Sequence, residues 1–106
     1  MERTRGDVKV PVPREAVTEF CQRHRVRELA LFGSVLRDDF TEQSDVDILI
    51  DFLPDTKVTF FHLADMENEL ETVFRHKIDL VLKNTLHRRV AAEVLASREV
   101  LYVATQ

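Results

Sequence analysis

Five residues carry groups that could act together chemically: Gly33, Ser34, Asp45, Asp47 and Asp79. Gly33-Ser34 closes the apolar run "ELALF". Ten residues separate the pair from Asp45-Val46-Asp47, which opens a second run, "DVDILIDF". Side chains alternate across a strand, so Val46, Ile48, Ile50 and Phe52 share one face and Asp45, Asp47, Leu49 and Asp51 the other. The same alternation in "KIDLVL" sets Ile78, Leu80 and Leu82 against Asp79 and Val81. If both strands lie in one sheet with their apolar faces on helices, Asp45, Asp47 and Asp79 converge on a face that no helix covers.

Like charges that close raise one another's pKa unless something compensates them. A divalent cation does so, and oxygen ligands suit Mg²⁺ or Mn²⁺. Three carboxylates can hold a pair of such ions, which together clamp the attacking and leaving oxygens of a phosphoryl-type displacement. The glycine then has a purpose: it permits a tight turn and a close approach to the backbone. The N–H groups of Gly33 and Ser34, with the Ser34 hydroxyl, can hold a polyphosphate at the start of a helical turn. Arg37 is close enough in sequence to add a charge-assisted bond to phosphate. Each feature alone is ordinary, since nine aspartates make about one D-x-D pair by chance. The ordered combination carries the weight.

The elements that must position these groups can be read in turn. Pro13 suits the first turn of a helix whose face carries Val17, Phe20, Cys21 and His24. Glu28–Phe32 reads as a strand stopped by Gly33, and residues 34–44 as polar with one helical turn. Asp45–Phe52 is the strongest strand, broken by Pro54-Asp55. Leu63, Met66, Leu70 and Val73 repeat at helical spacing and predict a helix over Val58–Phe74. Lys77–Leu82 is a strand. Asn84 or Thr85 is expected to cap a further helix lined by Leu86, Val90 and Val94. Glu99–Val103 ends the chain as a short strand. This order implies an α/β fold: one mixed β-sheet, with helices packed mainly on one face.

The whole chain sets the bounds. Its 106 residues make one domain, 1–106, and 44% apolar content suits a globular protein. A formal charge of −4 argues against direct nucleic-acid binding by phosphate neutralisation. With Cys21 alone no internal disulfide forms, and no run has transmembrane length, so a cytoplasmic protein is expected. His24, His62, His76 and His87 lack the spacing of a zinc site. Cys21 reads as packing, and His87-Arg88-Arg89 as a solvated helix face.

Gly33-Ser34, ten residues, then Asp45-Val46-Asp47 resembles the signature of the nucleotidyltransferase superfamily that includes DNA polymerase beta. Together with "VTEFCQRHRVRELALFGS", "HKIDLVL" and "REVLYV", it is similar to the minimal nucleotidyltransferases, the MNT antitoxins paired with HEPN-domain toxins. The resemblance covers nearly the whole chain. It implies a polymerase-beta-like nucleotidyltransferase fold. It also implies that Gly33 and Ser34 hold the nucleotide triphosphate, that Asp45 and Asp47 ligate the metals, and that Asp79 completes the metal site and helps deprotonate the attacking hydroxyl. ATP is then the substrate, with Mg²⁺ (or Mn²⁺) as cofactor and AMP as the group transferred. A HEPN toxin is the partner in a hetero-oligomer, and one of its tyrosines the acceptor. The alternative is an antitoxin that neutralises by binding alone. A transferase acting on a small molecule or a tRNA end is disfavoured, because larger relatives of that kind carry a second domain for the acceptor.

Overall fold

The computed structural model describes residues 8–104. Helix α1 (Arg14–Arg23) leads into strand β1 (Val26–Phe32) and a 3-10 turn at Gly33–Leu36. Strand β2 (Val46–Phe52), helix α2 (Phe60–Phe74) and strand β3 (Ile78–Leu82) follow. A second 3-10 turn (Lys83–Thr85), helix α3 (Arg88–Ser97) and strand β4 (Glu99–Val103) complete the order. The four strands form one mixed sheet in the order β3-β2-β1-β4. β1 is antiparallel to both β2 and β4, while β2 and β3 run parallel. The antiparallel β1–β2 pair needs only the Gly33–Asp45 connection. The parallel β2–β3 pair needs a crossover, which α2 supplies.

The main core lies on one face of the sheet. Val17, Phe20 and Cys21 of α1 and Met66, Leu70 and Phe74 of α2 pack there against Leu29, Leu31, Val46, Ile48, Ile50 and Ile78. Burial pushes the Cys21 thiol up to about 12, so it is an inert packing group, as expected. His24 closes α1, its ring 4.6 Å from that of Phe20 and its Nε2 3.0 Å from Glu69. Helix α2 begins at Thr59, whose side chain and that of His62 cap each other's backbone N–H. Two of its glutamates guard the sheet edge. Glu71 and Glu67 accept hydrogen bonds from the outward N–H groups of Ile78 (3.5 Å) and Leu80 (3.2 Å), which an edge strand would otherwise leave open.

Two expectations are corrected here. The carboxylate face of the sheet is not bare: α3 lies on it, with Val94 packed against Ala30 and Leu49, and Phe32, Val81, Leu86 and Leu95 around them. Alternation puts Leu49, Ala30 and Val81 on the face of the aspartates, and a fully buried leucine there gains about 2 kcal/mol from being covered. Helix α3 also starts later than expected. Neither Asn84 nor Thr85 caps it, because both belong to the separate 3-10 turn, where the Thr85 hydroxyl donates to Leu82 O at 2.8 Å. His87 takes the N-cap position, and Leu86 packs from outside the helix. His87 and Arg88 are exposed, as the solvated-face reading requires, while the Arg89 side chain lies outside the described residues.

The position of α3 has a measurable consequence. Leu49 is 1% exposed. Leu49→Ala should cost about 2–5 kcal/mol in denaturant unfolding, the range for a buried leucine. A cost near zero would mean that α3 does not cover this face.

Candidate active site

Strand register assembles the site. Phe32 of β1 lies opposite Asp47 of β2, and Asp47 lies beside Asp79 of β3. The three residues form a row across the sheet. Gly33 follows Phe32 directly and turns the chain with φ +77°, a conformation that disfavours any side chain. A methyl group on Gly33 would overlap Asp47 Oδ2 and lie 3.2 Å from its Cγ. The space left by the missing side chain is therefore filled by the Asp47 carboxylate. Ser34 sits in the 3-10 turn, and its carbonyl accepts the Arg37 N–H at 2.9 Å.

The segment between the turn and β2 is tied down at several points. Lys9 N–H donates to Val35 O at 3.0 Å, and its ammonium pairs with Asp38 at 3.2 Å. The Phe40 ring stacks on His76, centroids 5.2 Å apart. Thr41 and Ser44 exchange bonds in a tight turn: Ser44 N–H to Thr41 O and Thr41 N–H to Ser44 Oγ, both 3.0 Å. That turn delivers Asp45, which lies one residue before β2 and is exposed. Val46 N–H donates to Lys77 O at 2.8 Å and aligns the start of β2 with β3.

The electrostatics centre on Asp47. Its carboxyl is pushed up to about 6, first by partial burial, then by the charges of Asp79 and Asp45. Arg37 opposes the rise, and a hydrogen bond between the Asp47 and Asp79 carboxyls adds to it. Burial thus joins the like-charge repulsion expected from the sequence as the largest single cause. Arg37 is exposed and pairs with Asp39 at 3.4 Å. Among the described residues, no three His, Cys, Asp or Glu side chains close around one point as a ready-made cation cage. The cluster is open and all-oxygen, with one carboxyl that releases its proton only near pH 6. Such a set fits Mg²⁺, which takes one or two carboxylates and completes its shell from water and phosphate.

Beside this row runs a cleft of about 680 Å³, within the range of small-molecule sites. Phe32, Gly33 and Arg37 line one side, and Glu93, Val94 and Ser97 of α3 the other. The contribution of α3 is absent from the sequence reading. So is Glu28, which faces α3 and is 7% exposed. Its carboxylate pairs with Lys83 at 3.1 Å and with Arg98. Burial, the largest single cause, would raise its pKa, but the hydrogen bonds and positive charges of Arg98 and Lys83 together lower it. The only signal for Glu28 was its place in the alternation with Ala30 and Phe32. Its cations lie 55 and 70 residues away.

Fold and site define a nucleotidyltransferase, and the chain belongs to the nucleotidyltransferase domain family, whose model matches residues 13–101. Among its relatives is the protein adenylyltransferase MntA of Thermococcus cleftensis. It is 40% identical over 85 residues, an alignment spanning 80% of this chain and 82% of that protein. A solved structure assigned as a minimal nucleotidyltransferase matches with TM-score 0.67 and 32% identity, over 85% of this chain and 88% of the other. A chain from the complex of tri-AMPylated Shewanella oneidensis HEPN toxin with its MNT antitoxin shares the fold. There the TM-score is 0.62 at 15% identity, over 86% of this chain and 70% of that one. The expected family and fold are borne out.

The state of Asp47 makes stability depend on pH. The folded carboxyl keeps its proton to about pH 6, whereas an unfolded aspartate loses it near about 3.9. The folded state therefore binds the extra proton between these values. This stabilising contribution is complete below about pH 4 and is lost as pH rises through about 6. Asp47→Asn should flatten that dependence and raise stability at pH 7.5. The gain is on the order of 1 kcal/mol after allowing for solvent screening, or about 4–8 °C in melting temperature. A lower midpoint for the variant at pH 7.5 would instead mark the carboxylate as a structural support.

Proposed function

We propose that the chain is a Mg²⁺-dependent protein adenylyltransferase that moves AMP from ATP to a tyrosine hydroxyl of a HEPN-domain toxin, and so acts as an antitoxin. The observation that carries this reading is the placement of Asp47. It is the lateral neighbour of Asp79, and its carboxylate fills the space above Gly33. The Asp47 carboxylate thus lies against the turn and beside Asp79, next to a cleft of nucleotide size. Support also comes from the adenylyltransferase relative and from the AMPylated toxin in the structural match.

In this reading the N–H groups of Gly33 and Ser34 and the Ser34 hydroxyl hold the polyphosphate, and Arg37 adds a charge at its rim. The cleft under α3 receives the nucleoside. Asp45, Asp47 and Asp79 would hold Mg²⁺ or Mn²⁺, which when bound neutralises phosphate charge and favours loss of pyrophosphate. The tyrosine oxygen attacks the α-phosphorus, the bond to the bridging oxygen breaks, and pyrophosphate departs. Asp79, exposed at the end of the row, takes the hydroxyl proton. The acceptor must be held in line with the leaving group, so the partner protein has to present it. Tyr102 is the only tyrosine here and packs against the main core, so it is no candidate for self-modification.

The test is the intact mass of both proteins after mixing with ATP and Mg²⁺. An AMP-sized increment on the toxin is expected, absent with Asp45→Ala or with a chelator. If the toxin gains no mass yet the Asp45→Ala chain still neutralises it, the chain acts by binding alone and the enzyme reading fails. ATP affinity by calorimetry should likewise depend on the metal, because three carboxylates repel a triphosphate; equal affinity with chelator present would remove the proposed site.

A further inference from the structure

Glu28 belongs neither to the carboxylate row nor to the cleft lining, yet it is the only buried charged or polar side chain among the described residues. Its two oxygens take different partners. One pairs with Lys83, in the 3-10 turn after β3, and the other with Nε of Arg98. Arg98 does three things at once. Its backbone N–H closes α3 on Val94 O at 2.9 Å, its Nη1 donates to Leu95 O, and its Nε binds Glu28. The residues on either side of it, Ser97 and Glu99, line the cleft, as do Glu93, Val94 and Ala96 within the last turns of α3. One wall of the cleft is therefore the end of a ten-residue helix, which packs on the sheet through Val94 and is pinned at its last turn by the Arg98–Glu28 ion pair. The opposite wall, Phe32-Gly33, lies on the strand that carries Glu28.

We infer that Glu28 is a positioning residue for the nucleotide: through Arg98 it holds the C-terminal end of α3 at a set distance from Gly33, and so sets the width of the cleft. The inference rests on the nucleotidyltransferase reading of that cleft. The geometry makes the two cations unequal. Lys83 holds a turn that does not line the cleft, whereas Arg98 sits inside the wall. Loss of either should lower stability, because each leaves Glu28 buried with less compensation. Only loss of the Arg98 arm should loosen the wall.

The experiment compares Glu28→Gln, Arg98→Met, Arg98→Lys and Lys83→Met in the full chain. Two readouts are used: amide hydrogen exchange over residues 93–99, and titration with ATP at saturating Mg²⁺. Glu28→Gln and Arg98→Met should lose protection across 93–99 and bind Mg·ATP about tenfold more weakly, the scale on which supporting partners of a binding group act. Arg98→Lys keeps a charge for Glu28 but cannot also reach Leu95 O, so it should fall between wild type and Arg98→Met. It also serves where Arg98→Met does not fold. Lys83→Met should melt earlier yet keep both protection and affinity. Equal weakening by Lys83→Met would make the effect one of general stability and overturn the inference. Folded Glu28→Gln with wild-type ATP affinity would overturn it too, leaving the transfer reading intact. A wild-type chain that binds no Mg·ATP would instead overturn the reading beneath it.

Discussion

The contact between Gly33 and Asp47 is the constraint on which the rest of the site depends. A carboxylate occupies the space where any other residue would place its Cβ. The turn after β1 and the start of β2 can approach this closely only because one has no side chain and the other has a short one. The antiparallel register that sets Phe32 opposite Asp47 then determines everything beside it. One strand further, the parallel register brings Asp79 alongside. A slip of one residue in either pair would send an aspartate into the main core and an isoleucine onto the site.

The sheet meets this constraint by burying both faces unequally. One face takes α1 and α2 and nearly all the large apolar side chains. The other is shared between a small apolar strip under α3 and the carboxylate row beyond it. Leu49 and Asp47 are neighbours on that second face, one covered and one half-exposed. The boundary between them is where a ligand can reach charged groups and still find an apolar wall. Partial burial at this boundary is also what raises the Asp47 pKa most. Ionising the whole row at once is costly, because burial and neighbouring like charges both oppose it.

How much of this was legible beforehand follows from sequence distance. The carboxylates could be placed on one face because period-two alternation is local: Val46, Ile48 and Ile50 announce a core face, and Asp47 must then point away. Gly33 drew notice by type and spacing, though not its overlap with Asp47, which only the β1–β2 register creates. The face reads as bare because three aspartates outweigh Leu49, Ala30 and Val81, whose common burial depends on strands distant in sequence. Asn84 and Thr85 have good capping chemistry and so predict an early start for α3, but both belong to the 3-10 turn instead. Glu28 was invisible for the same reason of distance, since nothing local pairs it with Lys83 and Arg98.

The most direct test is titration of the aspartate carboxyls by carbon-13 NMR, with and without Mg²⁺ and ATP. In the metal-free chain, Asp47 should titrate near about 6. Adding Mg²⁺ with ATP should lower its midpoint by about 1–3 pH units, the scale for an opposite charge brought into contact. An Asp47 that titrates in the ordinary aspartate range, or whose midpoint does not move when Mg²⁺ and ATP are added, would contradict the account.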